Sequence, residues 1–260
     1  MSKAIQQQKY YKILVVGDAC LDVYFFGTCD RLSPEAPVPV FKRKRIKNMQ
    51  GMCLNVASNL RVFGHDVRVD RNDEKIKKIR IVDEKTGHHL LRVDEEPEIK
   101  NIDVRRYTKK TLAGYDAIVI SDYDKGYITQ GDILDILEPA KFREIPVFVD
   151  SKKKDLRNFD GCIIKINEDE KSKLTNLPKN CELLVTLGSK GCLWNDKIYP
   201  SEKVDVHDVT GAGDVFLASF VHMYLSTSGN IPESIKFANK CASISVSHFG
   251  TCVIDLKEIS

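Results

Sequence analysis

The 260-residue sequence has no Cys-x-x-Cys pair among its eight cysteines, and no His-Glu-x-x-His or comparable ligand spacing among its six histidines. A dedicated zinc site is therefore not supported. Most cysteines sit in apolar surroundings, as in Gly161-Cys162-Ile163-Ile164, and read as buried reduced thiols rather than a disulfide framework. No apolar run approaches the length of a membrane span. After a polar start, Ile13-Leu14-Val15-Val16 is too short for the core of a signal peptide. An excess of one charge is lacking too. Lys+Arg 40 against Asp+Glu 37 gives +3, too small a bias to point to nucleic acid or anionic lipid as the main partner. Repeats, low-complexity segments and long linkers are absent. The expectation is a cytoplasmic protein with neither nucleic acid nor membrane as a partner.

What is present is a hydrophobic fraction of 42% with 30% charged residues, too apolar for a disordered chain and long enough for one large α/β domain. Short apolar runs predict strands at Lys12–Val16, Ala117–Ser121, Val147–Val149, Cys162–Ile166 and Leu183–Leu187. Nearly continuous apolar runs suit strands covered on both faces of a mostly parallel sheet. Helical patterns fall at Met52–Phe63, Ile102–Leu112, Gln130–Phe142, Asp214–Leu225 and Pro232–Ser247. Two stretches break the alternation. Asp22–Gly27 with Val38–Ile46, and Lys77–Val82 with His88–Val93, predict a small antiparallel β flap beside the main sheet.

Polar residues follow the apolar strands: Gly17-Asp18, Asp122-Tyr123, Asp150, Asn167 and Gly188. Singly, such residues begin loops or cap helices. As a set at the carboxyl ends of parallel strands, they mark where open α/β sheets bind ligands. The segment Asp208-Val209-Thr210-Gly211-Ala212-Gly213-Asp214-Val215-Phe216 stands just before an apolar helix. The amides of Gly211, Ala212 and Gly213 would open onto an anion site. A carboxylate beside it makes chemical sense if Asp214 takes a proton from a hydroxyl attacking a phosphoryl group. The bland reading, a Gly-rich turn into a helix, fits a bare Gly-x-Gly-Asp equally well, but not the full nonapeptide.

This nonapeptide resembles the signature of the ribokinase-like (PfkB) carbohydrate kinases, and the resemblance extends over nearly the whole chain. Within the family it is nearest to the D-glycero-β-D-manno-heptose-7-phosphate kinase domain of bifunctional lipopolysaccharide heptose proteins. The residues behind that narrower likeness are Val16-Gly17-Asp18 with Leu21-Asp22, the run Arg31-Leu32-Ser33-Pro34-Glu35-Ala36-Pro37-Val38-Pro39-Val40, Ser121-Asp122-Tyr123-x-Lys125-Gly126 and Gly250-Thr251.

The resemblance implies a ribokinase-like fold with ATP and Mg2+ as cofactors and a sugar phosphate as partner. It implies Asp214 as general base, with Gly211, Ala212 and Gly213 stabilising the transferring phosphoryl group. Asp22 and Asn55 would hold sugar hydroxyls, with Gly51, Arg31, Asp122 and Lys125 on the same side. Lys152 would meet nucleotide phosphates, and Thr186, Gly188, Gly191 and Asn239 would border the nucleotide groove. Asn167 and Glu170 match the family's Asn-x-x-Glu, which positions magnesium indirectly. The flap would be a lid, and relatives often dimerise through lid strands, so a homodimer is expected. Structural alternatives stand beside these roles: Asn167–Glu170 as an acidic helix start, and Lys152–Lys154 and Lys42–Arg45 as solvated charge runs.

Two departures from the family pattern bear on substrate. In Gln50-Gly51-Met52-Cys53-Leu54-Asn55, Met52 replaces a second glycine, so its side chain either intrudes on the sugar or turns into the core. The link Asp70–Ile76 is too short for the helix and strand that family members place there. An edge α/β unit is thus expected to be missing from a single kinase domain over 1–260. The chain also ends soon after Gly250-Thr251, leaving no room for a nucleotidyltransferase domain. Three readings follow: a heptose 7-phosphate kinase forming the 1,7-bisphosphate, a kinase for another sugar, sugar phosphate or nucleoside, and a silent nucleotide- or sugar-binding protein.

Overall fold

The computed structural model describes residues 10–259. The chain begins with β1 (Lys12–Gly17) and leaves the main sheet at once for a long hairpin, β2 (Ala19–Leu32) and β3 (Pro39–Met52). It returns through α1 (Cys53–Val62) and β4 (Asp66–Arg71), then forms a second hairpin, β5 (Ile76–Asp83) and β6 (His89–Glu95). The rest alternates: β7 (Ala117–Asp122), α2 (Gln130–Phe142), β8 (Val147–Ser151), β9 (Cys162–Asn167), α3 (Glu168–Ser172) and β10 (Cys181–Thr186). Two short strands, β11 (Cys192–Trp194) and β12 (Lys197–Tyr199), precede the helices α4 (Ala212–Ser226), α5 (Ile231–Val246) and α6 (Leu256–Ile259).

The main sheet has eight strands in the order β12-β11-β10-β9-β8-β7-β1-β4. β10 to β4 run parallel, and β11 and β12 close one edge antiparallel. Its inner strands β1, β7, β8 and β9 are buried almost throughout because both faces are covered. Leu14, Val16, Ile118, Ile120 and Val149 pack with Ile133 and Ile136 of α2. Ile13, Val15, Val119 and Phe148 pack with Leu60 of α1, Phe216 and Phe220 of α4, and Ile235 of α5.

The flap is a separate sheet of four strands, β3-β2-β5-β6. Each of its two hairpins is antiparallel, as the sequence predicts, but β2 and β5 join them in parallel. In this register Asp22 stands opposite Lys78, and Tyr24 opposite Arg80. Parallel partners share a face, so these four side chains look the same way.

The predicted helix at Ile102–Leu112 does not form. Only Val104–Arg106 makes a 3-10 turn. Asp103 accepts from Arg105 N at 3.3 Å, while the Thr108 and Thr111 hydroxyls bond each other's backbone N–H at 3.1 and 2.9 Å. Such local side-chain bonds compete with the helical ladder. The link between β4 and β5 is only residues 72–75. Buried Asn72 fastens it to the start of β2, accepting from Ala19 N at 2.7 Å and donating to Glu74 O at 2.6 Å.

Candidate active site

Asp214 lies in the first turn of α4 and is 2% exposed. Its Oδ2 accepts from Asn55 Nδ2 on α1 at 3.0 Å, and its Oδ1 accepts from the Tyr123 hydroxyl at 2.8 Å. Burial raises its pKa to about 6; nearby Asp150 adds to the rise, while the bonds from Asn55 and Tyr123 and the charge of Lys165 oppose it. The carboxyl is thus poised near neutrality, with neutral Asn55 and Tyr123 as its bonded partners among the described residues.

The turn ahead of α4 makes the anion site. Gly211 caps the helix at φ 80, the left-handed region that favours glycine. Asp208 ties this loop down: its Oδ1 accepts from Thr210 N at 2.9 Å, and its Oδ2 from Gly250 N at 3.0 Å. The N–H of Ala212 is bonded to Val209 O at 3.3 Å, which removes one of the three expected donors. The N–H groups of Gly211 and Gly213 have no acceptor among the described residues. A side chain at residue 213 would lie 2.7 Å from Lys165 Nζ, so glycine is what lets the helix start sit on this lysine.

Lys165, 3% exposed on β9, donates to Asp150 Oδ2 at 2.6 Å. Asp150 Oδ1 also accepts from Lys152 Nζ at 3.2 Å, and Lys152 in turn binds Glu170. Burial alone would raise Asp150's pKa, but Lys165 and Lys152 outweigh it and hold the carboxyl below its usual range. Burial likewise opposes the charge of Lys152, and Asp150 and Glu170 reverse this. Asn167 and Glu170 form a reciprocal cap on α3, with Glu170 N to Asn167 Oδ1 at 2.8 Å and Asn167 N to Glu170 Oε2 at 2.9 Å. Both the acidic helix start and the neighbouring lysine contact are therefore real features of this pair.

A groove of about 520 Å³ opens beside the anion site at the carboxyl ends of β9 and β10. Asn167, Thr186, Gly188, Gly191 and Asn239 all line it, together with Ala212 and Gly213. One wall carries Val204, Val206 and Val209, which are 39%, 60% and 68% exposed. Asn239 spends its amide on the carbonyls of Tyr199 and Pro200 at 2.8 and 3.2 Å, so it shapes this wall. A larger hollow of about 860 Å³ lies at the opposite, amino ends of β8 to β10, remote from Asp214.

On the lid side, Asp22 is buried and paired with Arg80, which is itself 7% exposed. A Cβ on Gly51 would come within 2.2 Å of the Asp22 carboxylate, so residue 51 is the close neighbour the sequence implies. Lys78, on the same face of β5 as Arg80, reaches over the Tyr123 ring at 5.3 Å. Met52 takes the backbone conformation of a glycine, φ 58, and is 2% exposed within the core cluster of Leu14, Val16 and Ile76. Its side chain turns into the core and does not wall off the sugar side.

Other expected residues are engaged elsewhere. Asn55 points at Asp214 and also accepts from Asn59 at 3.2 Å. Asp122 is fully buried, with its carboxylate taken by Ser151 at 2.7 Å, Lys153 and Asp124 N; burial raises its pKa against those partners. Lys125 pairs with Glu96 at 2.6 Å. Arg31 is exposed in the outer half of the β2–β3 hairpin. The structure does not bring these last three to Asp214. Sequence reading missed Lys165, Arg80, Lys78 and the hydroxyl of Tyr123. A lysine inside the apolar run Cys162–Asn167 was one available signal, and the place of Tyr123 directly after the strand at Ala117–Ser121 and Asp122 was another.

A pfkB family carbohydrate kinase model matches residues 140–258. The bifunctional protein HldE of Campylobacter curvus is 31% identical over 303 aligned positions, covering 96% of this chain and 64% of the relative. HldE of Haemophilus influenzae is 29% identical over 313 positions, covering all of this chain and 65% of the relative. The chain thus spans just under two thirds of these relatives' length. An alignment of 313 positions against 260 residues leaves 53 positions of the relative without a counterpart. Among solved structures, Arabidopsis thaliana ribokinase complexed with ribose and ATP superposes with a TM-score of 0.68 at 19% identity, covering 96% and 98% of the two chains. Escherichia coli phosphofructokinase-2 gives 0.73 at 16% identity, covering 96% and 97%. The match to the pfkB family of carbohydrate kinases thus falls on residues 140–258, and the chain as a whole has the ribokinase-like fold.

Proposed function

We propose that this protein transfers the terminal phosphoryl group of ATP to O1 of D-glycero-β-D-manno-heptose 7-phosphate, giving the 1,7-bisphosphate. The observation that carries a phosphoryl transfer is the buried Asp214 carboxylate beside two unpaired backbone N–H groups, with Lys165 directly beneath Gly213. The heptose phosphate rests on the resemblance of the Arg31–Val40 run and of Ser121–Gly126, and on relatives that carry the name HldE. Lys78 on the inner lid face, reaching over Tyr123, suits an acceptor that already carries a phosphate.

In this reading Asp214 takes the proton from the attacking hydroxyl. A base with a pKa of about 6 is largely ionised at neutral pH and still strong enough to matter. The amides of Gly211 and Gly213 and the ammonium of Lys165 meet the charge on the phosphoryl oxygens, where a helix start already favours an anion. The groove suits ATP: its volume is in the range of ligand sites, and its exposed valines offer an apolar wall to a base. Solved ribokinases named with ATP or ADP bound support this choice.

In this reading a magnesium ion would sit among the nucleotide phosphates, with Asn167 of the groove wall and its capping partner Glu170 beside it. Such an ion would neutralise phosphate charge. The lid would exclude water from the reaction. The chain reads as one kinase unit trimmed at residues 70–76, supported by the four-residue link between β4 and β5.

The test is ADP formation from Mg-ATP with D-glycero-D-manno-heptose 7-phosphate, fructose 6-phosphate, ribose and adenosine. Asp214→Asn should lose roughly 10²–10⁴-fold in kcat while nucleotide binding persists. Turnover of another acceptor alone would replace the substrate and keep the mechanism. A full-rate Asp214→Asn enzyme would sink the base assignment.

A further inference from the structure

We infer that Tyr123 is a positioning residue for Asp214, its hydroxyl holding one carboxylate oxygen so that the base stays ionised and aimed inside a fully buried site. The inference rests on the reading of Asp214 as the base. Tyr123 stands in the loop after β7, and Asp18 holds that loop in place. Asp18 Oδ2 accepts from the N–H of Tyr123 at 2.7 Å and of Lys125 at 3.2 Å, and its Oδ1 from that of Tyr127 at 3.4 Å. Asp18 is itself 1% exposed and sits at the end of β1, so the loop is anchored to the main sheet.

The ring is held from two sides of the site. Lys78 of the lid and Lys152 of the segment after β8 lie 5.3 and 5.2 Å from its centroid. Tyr123 thereby spans the lid side and the nucleotide side, with its hydroxyl 2.8 Å from Asp214 Oδ1. Burial drives the phenol's pKa well above its usual value, and Asp214 and Asp150 push it further. It therefore keeps its proton and remains the donor to the carboxylate. The other groups that face Asp214 are Asn55 and Cys53 on α1, Asp150 on β8, Lys165 on β9 and Cys20 on β2. Among the described residues only Asn55 and Tyr123 bond its carboxylate directly, one on each oxygen. A hydrogen bond to the charged form favours that form, so removing it raises the carboxyl pKa.

Tyr123→Phe isolates the hydroxyl, since the ring and its two lysines are kept. The titration of Asp214 can be followed by 13C NMR of Asp-labelled protein, with the resonance assigned by its loss in Asp214→Asn. The midpoint should rise by about one pH unit or more in Tyr123→Phe. The acid limb of the kcat/KM profile should move up with it, and activity should recover towards wild type in alkali. An unchanged midpoint, or an equal loss of activity at every pH, would overturn the inference. If wild type turns over no acceptor in the panel, the proposed function fails by itself, and the NMR midpoint still decides the role of Tyr123.

Discussion

On the main sheet, the charged residues of the site stand at the ends of neighbouring strands, with Asp150 on β8 gathering Lys152 and Lys165 around one carboxylate. On the lid they stand two positions apart on one strand, where Arg80 is locked to Asp22 and Lys78 reaches towards Tyr123. The first arrangement shares a buried charge among several partners, so each member can yield to a ligand without leaving its neighbours unpaired. The second depends on one ion pair between two hairpins that meet along β2 and β5. On the proposed function, the nucleotide side is therefore built into the fold, whereas the acceptor side depends on lid assembly.

The largest effect should come from breaking that lid pair. Arg80→Met leaves Asp22 buried without a counter-charge, a change that costs about 3–5 kcal/mol in comparable buried pairs. Urea unfolding would read it, and an unchanged midpoint would show the pair to be dispensable. Lys78→Met is the gentler companion. It should raise KM for a phosphorylated acceptor about tenfold, the order of one charged hydrogen bond, and leave KM for ATP unchanged. Equal rises for both substrates would erase the distinction between the two sides.

Met52→Gly sharpens the comparison at the hinge between lid and helix. Glycine relieves a strained backbone, worth roughly 1–3 kcal/mol, but empties a buried site, which costs about 2–5 kcal/mol. We expect a modest net loss of stability with KM for the acceptor unchanged, since the side chain faces the core. A shifted KM would put Met52 at the sugar after all.

The smallest effect should be an acid weakening of the helical layer. His65 Nε2 and His222 Nδ1 lie 3.0 Å apart, and burial lowers both pKa values to about 4. The unfolded chain takes up protons near pH 6.5, which the folded pair resists down to about 4. Stability conferred by the neutral pair is therefore complete above pH 6.5 and declines as pH falls towards 4. Urea midpoints across this window should flatten in His222→Phe, and a slope unchanged by the substitution would assign the acid sensitivity elsewhere.

Much of this was legible in the chain. The five inner strands, β1, β7, β8, β9 and β10, announce themselves as short apolar runs, whereas the edge strands β4, β11 and β12 went unread because β4 is charged and half exposed and the other two are only three residues long. Asp208–Phe216 is legible because its job is local: a glycine turn, a helix start and a carboxylate within nine residues. Ile102–Leu112 was misread because apolar spacing does not register how Thr108 and Thr111 capture the backbone. Asp122, Lys125 and Arg31 were assigned to the acceptor by their motifs, yet their partners are Ser151, Lys153 and Glu96 or, for Arg31, the outer lid.

Composition, periodicity and one nonapeptide determined the α/β class, the five inner strands of the main sheet and the position of the proposed base, since these depend on neighbours within a few residues. The tertiary structure alone decided that Lys165 lies under Gly213, that Arg80 neutralises Asp22, that Tyr123 holds Asp214 and that Met52 faces inward. Those pairings join residues tens of positions apart. What selects them is the high cost of leaving a charge or a polar group buried alone, and that cost arises only once the sheets have closed on each other.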